Sequence, residues 1–143
     1  MRRLSRCFLL TLACGLTLGL TSCHRSDREA VYPVKGKVFF NGKPAEGATV
    51  TFVRCGRDDA PIPRPGGQVA PDGSFRLSTY VSYDGAPAGR YAVTIRYPSP
   101  EKKENDENVG PDLLEGRYAD PKTTPLAAEV NRGTNDLEPF QLK

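Results

Sequence analysis

The sequence predicts an all-β domain, an antiparallel sandwich of two sheets made from seven short strands, and three observations predict it. Apolar residues recur with a period of two in short runs, the pattern of half-buried strands. The 14 glycines and 13 prolines fall between those runs as punctuation, as turns between strands do. No stretch beyond residue 30 shows convincing amphipathic helical spacing, and short strands without helices pack as two facing sheets. Residues 31–143 have the length of one domain with a single core.

Taken in order, Val34, Gly36, Val38 and Phe40 alternate with Lys35, Lys37 and Phe39 as the first strand. Asn41-Gly42 then supplies the positive φ angles of a hairpin turn. Ala48, Val50 and Phe52 alternate with Thr49, Thr51 and Val53 as the second strand. Pro61, Pro63 and Pro65 have no N–H to give a ladder, so the segment from Cys55 to Gly67 reads as an exposed loop. Gln68-Val69-Ala70 is a short third strand closed by Pro71-Asp72-Gly73, and Phe75, Leu77 and Thr79 share one face of a fourth.

The cleanest alternation follows the turn 84–89. Tyr91, Val93, Ile95 and Tyr97 oppose Arg90, Ala92, Thr94 and Arg96, which predicts a central strand with Tyr91 pointing inward. Leu126, Ala128 and Val130 mark a sixth strand, Asn131-Arg132-Gly133 a turn, and Leu137 to Leu142 a seventh, whose Pro139 suits an edge. Residues 98–124 are long for a loop in a compact domain. Glu101 to Asn108 reads as a solvated tip, and Leu113, Leu114 and Tyr118 either complete the core or pack back as a lid over a binding surface.

The N-terminus has a different composition. Arg2, Arg3 and Arg6 precede a run from Cys7 to Leu20 that is too short to span a bilayer, which takes roughly 20 apolar residues. Charged Arg25, Asp27, Arg28 and Glu29 follow it, so residues 1–22 read as a removed signal peptide and residues 23–30 as a polar tether. An uncleaved apolar helix and a signal cut elsewhere are the alternatives. The chain's net charge of +3 belongs to those three arginines. Without them 17 Lys and Arg face 17 Asp and Glu, which leaves no electrostatic case for nucleic acid.

Leu20-Thr21-Ser22-Cys23 resembles the lipobox of bacterial lipoproteins. The resemblance implies that Cys23 is the lipidation site: its thiol takes a diacylglyceryl group, the signal is cut before it, and the new amine is acylated by a chain such as palmitate. One acyl chain holds a protein marginally and two or more hold it firmly, at about 0.8 kcal/mol per buried CH₂. His24, where some inner-membrane lipoproteins carry Asp, favours the outer membrane. With Cys7 and Cys14 removed and Cys23 alkylated, Cys55 is left to be a half-buried strand-end residue or to pair between chains.

Gly36-Lys37-Val38, Asn41-Gly42-Lys43-Pro44, Gly47 to Val50, Asp72 to Leu77 and Pro87 to Ile95 resemble the carboxypeptidase regulatory-like domain, a relative of transthyretin-like and Cna-B-type modules. The likeness covers residues 31–97 well, and the stretch from Gly116 to Val130 resembles the tail of short lipoproteins carrying this domain. It implies a seven-stranded, prealbumin-like Greek-key sandwich that serves elsewhere as a non-catalytic accessory, a stalk or a binding module. Gly42, Gly73 and Gly89 are then turn glycines.

Chemistry is sparse. The single histidine, His24, lies in the tether, away from any Ser-His-Asp or Cys-His set, and a zinc site would have Cys55 as its only other soft ligand. Hydroxyisourate hydrolases resembling transthyretin depend on histidines and a Tyr-Arg-Gly-Ser-like C-terminus, whereas this chain ends Pro139-Phe140-Gln141-Leu142-Lys143. Asp58, Asp59, Asp72, Asp84, Asp112, Asp120 and Asp136 are all expected in loops, at spacings unlike a calcium-binding loop. Asp before Gly or Pro usually serves the turn itself. Tyr80, Tyr83 and Tyr118 either pack on strands or form a sugar-stacking platform.

The expectation is therefore a non-catalytic lipoprotein without cofactor or metal, exported and anchored by Cys23 to the cell or outer membrane, facing periplasm or exterior. Its partner is expected to be another envelope protein, with a surface glycan as the alternative.

Overall fold

The computed structural model describes residues 28–56, 63–99 and 110–143. The expected signal peptide, Cys23, the expected tether as far as residue 27, Asp58-Asp59 and the expected tip from Glu101 to Asn108 lie outside the described residues. Among the described residues the chain forms strands and turns without a helix.

The chain enters through β1 (Val31–Tyr32), β2 (Val34–Phe40), β3 (Lys43–Pro44) and β4 (Thr49–Arg54). It continues with β5 (Gly66–Gln68), β6 (Ser74–Arg76), β7 (Ala86–Pro87) and β8 (Gly89–Arg96). It ends in β9 (Ala127–Val130), β10 (Asn135–Asp136) and β11 (Phe140–Leu142). One sheet runs β5-β4-β8-β9, antiparallel throughout, so β8 is central as its alternation predicts. The other is built on β2, with β3 and β6 antiparallel along one edge and β10 and β11 along the other. A separate small ladder joins β1 to β7.

One cluster of buried side chains unites the two sheets. Val34, Val38 and Phe75 come from the β2 sheet, and Val50, Phe52, Tyr91, Val93 and Ile95 from the β4–β8 sheet. Burial of one such aliphatic or Phe side chain contributes about 1.5–3 kcal/mol, so alternation along β2, β4 and β8 fixes which face of each strand turns inward. Asn41 and Gly42 have φ of 50° and 77°, the hairpin geometry their identity predicts.

Two features depart from expectation. The C-terminal strand is parallel to β2, with Asn135 beside Val34 and Leu142 beside Phe40, so the second sheet is mixed instead of antiparallel. The reason lies in the turn 131–134: Asn135 accepts from the Asn131 N–H and donates to the Asn131, Gly133 and Pro33 carbonyls, which delivers the chain to the starting end of β2. Pro139 then divides this last strand into β10 and β11. The third strand also starts earlier than predicted, at Gly66, because Gly67 lies against the chain of β6; a Cβ there would sit 2.3 Å from the Arg76 carbonyl oxygen. The alternation signal is silent where the strand is glycine.

Leu114 is 1% exposed and the Tyr118 carbonyl accepts from the Ile95 N–H. The segment 110–120 therefore completes the core, although Leu113 itself stays exposed. Among the described residues, no helix is long and apolar enough to cross a membrane.

Candidate functional site

The registers place one end of the domain where residues 28–30, the last of the expected tether, join it. The start of β2 and β8, the end of β4 and β9, and the β1–β7 ladder meet there. Arg54, last in β4, forms an ion pair with Glu29 and donates 2.8 Å to the Ala88 carbonyl. The Glu29 N–H donates to the Tyr80 hydroxyl at 3.1 Å, and the Arg28 guanidinium lies 5.2 Å from the Tyr80 ring centroid. Residues 28 and 29 are thus fastened to the domain before the first strand begins. Arg54 and Glu29 are 25 residues apart, and a single charged residue at a strand end carries no signal of such a partner.

The neighbouring corner is equally constrained. Tyr91 is 1% exposed, and its hydroxyl donates 2.7 Å to the Pro87 carbonyl. Burial pushes the Tyr91 phenol above its usual range, opposed by the Arg54 guanidinium. Gly85, at φ 99°, passes so close to β1 that a Cβ would fall 1.7 Å from the Tyr32 carbonyl oxygen. Only glycine fits that approach.

Between β6 and β7 the loop 78–85 is tied down by one carboxylate. Asp84 accepts from the Thr79 N–H at 2.6 Å, the Tyr80 N–H at 2.9 Å and the Val81 N–H at 3.0 Å. Partial burial pushes its pKa up, but these backbone donors outweigh that and hold it below the usual carboxylate value. The Tyr83 N–H donates to Ser78 Oγ, and Tyr83 sits at φ 62°, a backbone state that an aromatic residue keeps only where its surroundings enforce it. Val81 and Tyr83 are left 63% and 64% exposed, the Tyr83 ring lying 5.7 Å from the Arg76 guanidinium.

The other predicted carboxylates also serve the backbone. Asp72 accepts from the N–H and hydroxyl of Ser74, which hold its pKa below the usual value. Asp112 accepts from the N–H groups of Tyr97, Leu114 and Gly116, and Asp120 from that of Lys122. Asp136, expected in a loop, lies in β10 and pairs with Lys35 at 3.0 Å across the parallel register. Among the described residues no three His, Cys, Asp or Glu side chains form a group able to hold a metal ion.

The three tyrosines proposed as a platform are not brought together. Tyr80 and Tyr83 share the loop at the tether end, whereas Tyr118 lies at the far end, where its hydroxyl accepts from the Lys143 N–H. Cys55 follows β4 at the tether end as a free thiol, exposed instead of half-buried. A groove of about 420 Å³ runs beside β5 and β6, lined among others by Glu46, Gln68, Arg76, Ser78 and Tyr83. Its lining mixes polar and apolar side chains.

Protein-family models were compared with the chain and none matches; no curated protein is similar to it at a significant level.

Proposed function

We propose that the chain is a lipid-anchored, non-catalytic module of the cell envelope, a prealbumin-like Greek-key sandwich of the carboxypeptidase regulatory-like kind, which presents its surface to another envelope protein. The observation that carries the reading is how few residues separate the lipobox-like motif from the folded domain. A lipobox-like Leu20 to Cys23 is followed, five residues after Cys23, by Arg28, whose guanidinium already lies over the Tyr80 ring of the all-β domain.

Two further observations support it. The Tyr91 hydroxyl bonded to the Pro87 carbonyl has the form of the tyrosine corner that accompanies Greek-key sandwiches. Asp72, Asp84 and Asp112 have their oxygens engaged by neighbouring N–H groups, the use expected of carboxylates that hold loops in a scaffold. A glycan platform would need several rings on one face, and the three tyrosines are divided between two ends.

Crosslinked pull-down from native membranes tests the module reading. A defined set of envelope proteins is expected above the level of an unrelated domain carrying the same anchor. Recovery no greater than that control would contradict it.

A further inference from the structure

We infer that the tether end faces the bilayer, with the side chains of Val81 and Tyr83 seated in the lipid headgroup interface. The inference rests on anchoring at Cys23 and goes beyond it, because a flexible anchor alone would leave the domain free to rotate.

Arg28 lies five residues beyond Cys23, and five residues extend at most about 18 Å. Because Arg28 and Glu29 are held by Tyr80 and Arg54, the chain leaves the domain beside the loop 78–85 and nowhere else. The far end, with Lys143 and the 110–120 segment, lies across the length of β2 and β8 from that point.

Val81 and Tyr83 are exposed on a backbone fixed by Asp84 and Ser78, next to the residue that grips the tether, with the Tyr83 ring beside Arg76 along the groove of β5 and β6. A lone exposed apolar residue needs no explanation. Here two occur in one clamped turn, where the bond to Ser78 Oγ helps hold Tyr83 at a φ of 62°. Tyrosine is a side chain of the membrane–water interface, with an apolar ring and a hydroxyl for the headgroup layer. Since the loop is already ordered, little conformational freedom is lost on contact.

The chain contains no tryptophan, so a single Val81→Trp or Leu113→Trp substitution gives a background-free reporter at either end. The full lipidated chain is reconstituted into vesicles of phosphatidylethanolamine and phosphatidylglycerol, with and without bromine on the acyl chains, and flotation is measured on the same samples. About half of the Val81→Trp emission should be lost to brominated lipid, with a blue shift, since the interface is where an indole settles. Leu113→Trp should be unaffected. Releasing the tether with Glu29→Ala and Tyr80→Phe should weaken the Val81→Trp quenching while flotation persists. Vesicles that float with Val81→Trp unquenched would overturn the orientation alone and leave the loop to a protein partner. Failure to float would overturn the anchoring, and the orientation with it.

Discussion

Tyr91→Phe removes one oxygen and keeps the ring, so it isolates the bond to the Pro87 carbonyl. The ring's contact with Phe52, 5.5 Å between centroids, is retained. What is lost is a 2.7 Å bond from a residue 1% exposed to a carbonyl on a buried proline. A typical intramolecular hydrogen bond contributes about 0.5–1.5 kcal/mol net, and stranding a buried acceptor costs about 1–3 kcal/mol. Pro87 is itself buried, so the loss is placed near the middle of these ranges, at about 2 kcal/mol. For a domain of this size that is a fall in Tm of about 8 °C, at roughly 4 °C per kcal/mol. Thermal unfolding followed by circular dichroism measures it, and urea unfolding at unchanged slope would show that the two folds are equally compact. A Tm within about 1 °C of wild type, less than a quarter kcal/mol on that scale, would refute the corner's role.

Further consequences follow from the same geometry. Gly85→Ala must move β1 or β7, because its Cβ meets the Tyr32 carbonyl at 1.7 Å; a loss of about 3 kcal/mol or more is expected by denaturant unfolding, in the range of severe backbone substitutions. Leu114→Ala should cost about 2–5 kcal/mol, the range for emptying a core leucine, whereas Leu113→Ala should be nearly silent. The folded-state pKa of Asp84 is lowered, so its contribution is complete above the usual value of 3.8 and is lost as pH falls below it. A pH series should therefore show wild type losing stability there and Asp84→Asn losing less; parallel curves would remove Asp84 from the account.

Much of this fold was legible because its strands bury one face. Val34 to Val38 and Thr49 to Phe52 alternate as solvent and core demand, Tyr91, Val93 and Ile95 turn inward along β8 although Thr94 is buried as well, and Asn41-Gly42 names its turn. Where the side chain is missing or the strand is two residues long, periodicity had nothing to act on. Gly66-Gly67 and the β1–β7 ladder are such places. The parallel docking of β10 and β11 depends on the buried Asn135 and its contacts with the turn 131–134 and Pro33, and strand direction leaves no trace in alternation.

The candidate site divides in the same way. Asp72 and Asp84 were readable as turn residues because glycine follows each, but the donors reaching Asp112 from Tyr97 lie 15 residues away. The Glu29–Arg54 and Glu29–Tyr80 contacts cross 25 and 51 residues. They convert the end of a polar tether into part of the domain, which only the folded arrangement reveals.

Whether Cys23 joins this domain to a membrane by lipid is decided by the intact mass of the mature N-terminal peptide. Lipidation requires a chain beginning at Cys23, its mass raised by a diacylglyceryl group and an N-acyl chain, and a Cys23→Ser variant that leaves the membrane fraction. An unmodified Cys23, or a variant held in the membrane as firmly as wild type, would contradict it.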